Sequence, residues 1–167
     1  MAMLEEPEAA RADLETINRT LVRIHKAFME ILPPRQLQPV ISWARTQPPE
    51  YGQICGCSTQ LLSGELYREM IADLDEDVLR AYPNGGMIHL CGSHAQHIET
   101  FRNMKTLRAV QVNDRAAEDL QLYFDGLRED QVLYLNPCAG MTVERAMEIT
   151  GGRRLVICAH LDRPVKR

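Results

Sequence analysis

The sequence predicts an α/β protein built on a mainly parallel sheet of five strands. Three observations carry this expectation. From Gly85 onward, short apolar runs alternate with longer amphipathic ones in strand–helix order. The apolar runs are nearly continuous rather than alternating, as strands covered on both faces are. No linker or low-complexity tract interrupts them, so 167 residues at 45% hydrophobic and 25% charged read as one domain spanning 1–167.

Taken in order, "EEPEAARADLETINRTLVRIHKAFMEIL" reads as a long helix, with Pro7 in the first turn, where its missing N–H costs nothing. Leu14, Ile17, Leu21, Ile24, Phe28 and Ile31 recur at spacings of three and four and form one apolar stripe. His25 falls outside that stripe and reads as surface. Pro33-Pro34 ends the helix. The run "LQPVISWA" (37–44) predicts the first strand, and "RTQPPEYGQICGCSTQLL" a loop. Ser63 is placed to cap the helix "GELYREMIADLDEDVLRAY". Then follow strand "GMIHLC", helix "SHAQHIETFRNM", strand "LRAVQVN" and helix "DRAAEDLQLYFDGL" with Asp114 at its cap. Strand "QVLYLN", helix "TVERAMEIT" and a last strand "RRLVIC" complete the pattern.

A net charge of −4 gives no footprint for a polyanion, which argues against nucleic acid as a partner. No apolar run reaches the length of a membrane span. The opening "MAMLEEPEAARADLE" lacks the apolar core of a secretory signal. Five cysteines, an odd number, read as reduced thiols, so a cytoplasmic protein is expected.

In parallel α/β folds the working groups stand at the carboxyl ends of the strands. There the sequence places Cys55 and Cys57, His89 and Cys91, Asn113 and Asp114, Asn136 and Cys138, and Cys158 and His160. All five cysteines fall at or just after predicted strand ends, whereas cysteines serving only as small core residues would also fall on helices. "GGMIHLCGSHAQH" is the densest stretch, holding His89, Cys91, His94 and His97.

"GGMIHLCGS", preceded by "LLSGELYREMI" and followed one helix later by "RAVQVND", resembles the C-terminal part of the uroporphyrinogen decarboxylase superfamily. The resemblance implies a partial (β/α)8 barrel with outer helices, from which the N-terminal strands are missing. A complete barrel of this kind needs about 250 residues. Two chemistries come with it: cofactor-free decarboxylation of uroporphyrinogen in haem synthesis, and zinc-dependent methyl transfer between a corrinoid protein and a thiol such as coenzyme M. The methyltransferases hold zinc through a His-x-Cys and a distant Cys. His89 and Cys91 match the first part, and the last-strand position points to Cys158, with Cys138 as the rival. The decarboxylases carry a glycine-flanked His after the last strand, where "CAHLD" offers His160 without those glycines. They also carry an acidic residue before "LLS", where this chain has the Cys57 region.

Alternation places His89 and Cys91 on one face of their strand, with Ile88 and Leu90 on the other. Imidazole and thiolate together suit tetrahedral zinc, and three protein ligands leave one position open for a thiol that would ionise there. The bland reading is a core thiol beside a hydrogen-bonded histidine. His94 and His97, three apart on a helix, read more readily as solvated rim positions than as further ligands. Cys55-x-Cys57 is too short for a C-x-x-C motif and reads as an accessory site. Tyr67, Asp114 and Asn136 are candidate substrate contacts, and His160, Asp114 and Tyr67 the candidate catalytic groups.

Three functions are therefore expected in turn: a zinc methyltransferase working with a corrinoid protein or a small-molecule substrate; a metal-free decarboxylase-like lyase; and a non-catalytic partial barrel or subunit. A five-strand arc has two open edges, which predicts pairing with another copy or a complementing chain.

Overall fold

A computed structural model describes residues 2–33, 36 and 47–158. The strand predicted over 37–44, and His160, lie outside the described residues.

A short α1 (Ala2–Glu5) precedes the long α2 (Pro7–Ile31), with Pro7 in its first turn. Next comes β1, Gly52–Cys55, inside the stretch the sequence reads as loop. Pairing with β2 makes it a strand: four residues too short to show a period are fixed by ladder bonds to Gly86–Leu90. The single helix expected after Ser63 is two, α3 (Gly64–Met70) and α4 (Ala72–Arg80), broken at Ile71. Ser63 caps α3 as expected, its Oγ accepting the Leu66 N–H at 3.1 Å.

The remaining elements are β2 (Gly86–Leu90), a 3-10 turn Ala95–His97 leading into α5 (Ile98–Asn103), and β3 (Leu107–Val112). They continue with α6 (Arg115–Glu118), α7 (Leu120–Gly126), β4 (Val132–Leu135), α8 (Val143–Thr150) and β5 (Leu155–Ile157). The five strands form one sheet in the order β1-β2-β3-β4-β5, parallel throughout.

One face of the sheet carries Ile88, Leu90, Val110, Val112, Leu133 and Leu135, all without solvent exposure. Residues of α3 to α8, Tyr67, Leu79, Phe101, Ala116, Leu120, Tyr123 and Ala146 among them, pack against that face in a single core. Strand alternation then turns the other set outward from this core. In register across the sheet these are Cys55, His89, Gln111 and Tyr134, with Gln53, Met87, Ala109 and Val132 one step earlier. The second face is thus where polar chemistry gathers.

Candidate metal centre

Register pairing puts Cys55 at the end of β1 beside His89 of β2. The chain then turns at Gly56, whose N–H donates to the His89 carbonyl at 2.9 Å, and Cys57 folds back over the strand end. The result is a contact series: Cys55 Sγ to Cys57 Sγ, 3.4 Å; Cys57 Sγ to Cys91 Sγ, 3.3 Å; Cys91 Sγ to His89 Nε2, 3.0 Å. The ligand atoms of Cys55, Cys57 and His89 all lie within 4.8 Å of one another, so this group could hold a metal ion. His89 is 4% exposed, Cys57 and Cys91 are half-buried, and Cys55 is exposed.

The donor set fits zinc. Soft thiolates with an imidazole are a zinc combination rather than a calcium or magnesium one. A tetrahedral ion with bonds of about 2.3 Å to sulfur sets its ligands about 3.7 Å apart. Separations of 3.0 to 3.4 Å need to open by only a few tenths of an ångström. Burial, and then the Cys91 and Cys55 contacts, push the Cys57 thiol up to about 12. In the metal-free chain it is protonated at neutral pH, and a cation entering here must displace that proton.

His89 is oriented from behind. Gln111 Nε2 donates to the Val112 carbonyl at 3.3 Å and to Asn136 Oδ1 at 2.9 Å, which turns Oε1 towards His89 Nδ1. An amide oxygen only accepts, so Nδ1 carries the hydrogen and Nε2 keeps its lone pair facing the sulfurs. This arrangement fixes a metal-ligating histidine. In the sequence, the signal for Gln111 is a glutamine inside the otherwise apolar strand "LRAVQV".

The other expected site residues have their own settings. Cys138 is half-buried, its Sγ 3.8 Å from the Asp114 carbonyl, and Cys158 is buried just beyond β5, its N–H donating to the Leu135 carbonyl. Neither belongs to the group of Cys55, Cys57 and His89. Asp114 makes no side-chain cap: its φ of +48° turns the backbone away from capping geometry, and its carboxylate takes a bond from Asn113 Nδ2 at 3.0 Å. Tyr67 stands in the helical layer, on the opposite side of the sheet from His89. It is fully buried, donates to Asp75 Oδ2 at 2.8 Å and packs on His97 and Phe101.

His94 and His97 are buried, not solvated rim positions. His94 sets Nδ1 2.6 Å from the Gly92 carbonyl and Nε2 3.0 Å from the Gly56 carbonyl, while His97 Nε2 reaches the Thr59 carbonyl at 2.9 Å. His25 also departs from its surface reading: it is partly buried, 2.5 Å from the Tyr82 hydroxyl, and burial lowers its pKa.

The described residues therefore define a parallel α/β protein with a thiol–imidazole cluster at the carboxyl ends of β1 and β2. No family model, curated protein or solved structure matches the chain. No helix among the described residues is long and apolar enough to cross a membrane.

Proposed function

We propose that this chain is a zinc-binding segment of a (β/α) barrel of the uroporphyrinogen decarboxylase superfamily, of the type that transfers a methyl group from a corrinoid protein to a thiol. The observation that carries the reading is the meeting of Cys57, His89 and Cys91 at adjacent strand ends, with Cys55 exposed beside them. A strictly sequential parallel order, with helices on one face, is the arrangement of a barrel arc, and barrels place their chemistry at this end.

His89, Cys91 and Cys57 would hold the ion, Cys57 taking the third place that the resemblance gives to Cys158, because its sulfur touches that of Cys91. Bound zinc would supply acidity, keeping a coordinated thiol as thiolate at neutral pH. Gln111 keeps His89 Nε2 free of its proton, and the low exposure of His89 limits water at the ligands. Cys55, the one exposed sulfur, occupies the position a substrate thiol would take. In the transfer the thiolate sulfur bonds to the methyl carbon, and the electron pair of the broken carbon–cobalt bond stays with the corrinoid.

Metal analysis of tag-free protein is the test. One zinc per chain is expected, lost in His89→Ala and Cys91→Ala, with methylation of coenzyme M by methylcobalamin in the zinc-loaded protein. Substoichiometric zinc indifferent to Cys91 would end the zinc reading. Full zinc without methyl transfer would end the methyltransferase reading.

A further inference from the structure

The long helix α2 lies along α4 and docks by its polar side. Arg11 bridges Asp73 through Nη1–Oδ1 at 2.9 Å and Nη2–Oδ2 at 2.5 Å, and His25 Nδ1 meets the Tyr82 hydroxyl at 2.5 Å. Along this seam the two helices border an open cavity of about 390 Å³. Its buried and half-buried lining is Asn18, Val22 and Ala81, while its exposed lining is charged. A volume of this order suits a small molecule. The cavity stands at the carboxyl end of α4, where the chain turns towards the start of β2. The thiol cluster stands at the far end of that strand, so the two places are separate.

Asn18 is the first sign of a ligand. Asparagine is a weak helix former, yet this one sits in the middle of α2 and is only 8% exposed. Among the described residues its side-chain amide has no hydrogen-bond partner. A buried amide is costly to leave unpaired, and this one lines the cavity. It offers a donor and an acceptor side by side.

Charge supplies the second sign. Arg19, Arg23, Lys26 and Arg80 line the cavity against Asp77 alone. Arg80 is held by Asp77 and lies 4.0 Å from Glu76, and Arg19 lies 3.9 Å from Glu15. Arg23 and Lys26, three apart on one face of α2, have no ion-pair partner among the described residues. Two uncompensated cations match one phosphate group, which carries about −1.5 to −2 near neutral pH. A single carboxylate would leave one of them unmet. Glu15 and Glu30, one turn before Arg19 and one turn after Lys26, confine the basic cluster. It therefore lacks the long basic track that a nucleic acid needs.

A bare ion would leave Val22, Ala81 and the Asn18 amide unused. We propose that this cavity binds a small phosphate monoester. Arg23 and Lys26 take the phosphate, Val22 and Ala81 carry the organic part, and Asn18 pairs with a polar group on it. The site rests neither on the metal cluster nor on the function proposed for it.

Calorimetric titration of the full chain tests it, with AMP, phenyl phosphate and glycerol 3-phosphate as probes beside inorganic phosphate. AMP is included because an asparagine amide pairs well with an adenine edge. At least one ester is expected to bind at one equivalent per chain and more tightly than inorganic phosphate. Arg23→Gln and Lys26→Gln should each weaken it about tenfold, the scale of one charge-assisted hydrogen bond. Both side chains are exposed, so far-UV circular dichroism and melting should not change. Asn18→Leu should weaken the ester and leave inorganic phosphate as it was. Esters that bind no better than inorganic phosphate would overturn the proposal, as would binding indifferent to Arg23 and Lys26. So would vesicles containing phosphatidic acid that bind through Arg23 when no soluble ester does.

Discussion

Removing the Gln111 side-chain oxygen should weaken metal binding without touching a ligand. In Gln111→Leu the His89 Nδ1–H loses its acceptor. Gln111 is fully buried and His89 is 4% exposed, so bulk water cannot simply replace the lost oxygen. An orphaned buried donor costs about 1–3 kcal/mol. The imidazole can avoid that cost by changing tautomer or rotating, but either move takes the Nε2 lone pair away from Cys57 and Cys91. The two routes converge on a zinc affinity lower by about 10- to 100-fold, the range found when such supporting groups are removed. Competition against a chromophoric chelator measures this directly. The rescue is Gln111→Glu, whose carboxylate can still accept from Nδ1 and should restore affinity to at least the wild-type value. Metal-free melting curves for both variants separate a weakened site from a damaged fold. An affinity within about twofold of wild type in Gln111→Leu would refute the reasoning, since Nδ1–H would then not depend on this amide.

One further outcome concerns the cluster and another the helical layer behind it. Cys55→Ser should keep stoichiometric metal with an affinity loss smaller than that of Cys57→Ser, because Cys55 is the exposed member of the cluster; equal losses, read by the same chelator competition, would make it a fixed fourth ligand. Burial raises the Asp75 carboxyl from its ordinary 3.8 to about 6, and the Tyr67 hydroxyl bond only partly offsets this. The stability that the protonated form contributes is therefore complete below about pH 4 and lost as pH rises through about 6. Asp75→Asn should thus stabilise the chain by up to about 3 kcal/mol at about pH 8 and by nothing at about pH 4, as urea melts at the two pH values would report.

The four strands from β2 to β5 were legible because their apolar runs are long enough to stand out between amphipathic segments. β1 was not: "GQIC" has four residues, begins with one glycine, is followed by another and owes its conformation to β2. The helices were legible as helices but not their breaks at Ile71 and Asp119, where no proline or glycine marks the interruption. The stripe on α2 is plain in the sequence, yet periodicity alone does not say whether a neighbouring element covers it. At the site, His89 and Cys91 were legible from alternation along one strand. Cys55-x-Cys57 is hard to recognise because chain spacing describes a ligand pair poorly when the chain reverses between the two residues.

That reversal explains why four chemistry-bearing residues crowd into nine positions of the sequence. His89 and Cys91 stand at the cluster itself. His94 and His97 hold the loop that carries Cys57, by engaging the carbonyls of Gly56 and Thr59 on either side of it. Both rings are buried, and His97 packs against Tyr67 and Phe101 in the helical core. A five-residue segment with three polar side chains has little apolar surface of its own with which to fix its position. Ring nitrogens set against its carbonyls supply that fixation instead, and for His97 burial lowers the pKa, which favours the neutral ring. The core side of the sheet thereby sets the position of a sulfur on the other side. Tyr67, expected at the site itself, acts one layer back, as part of the packing that locks His97.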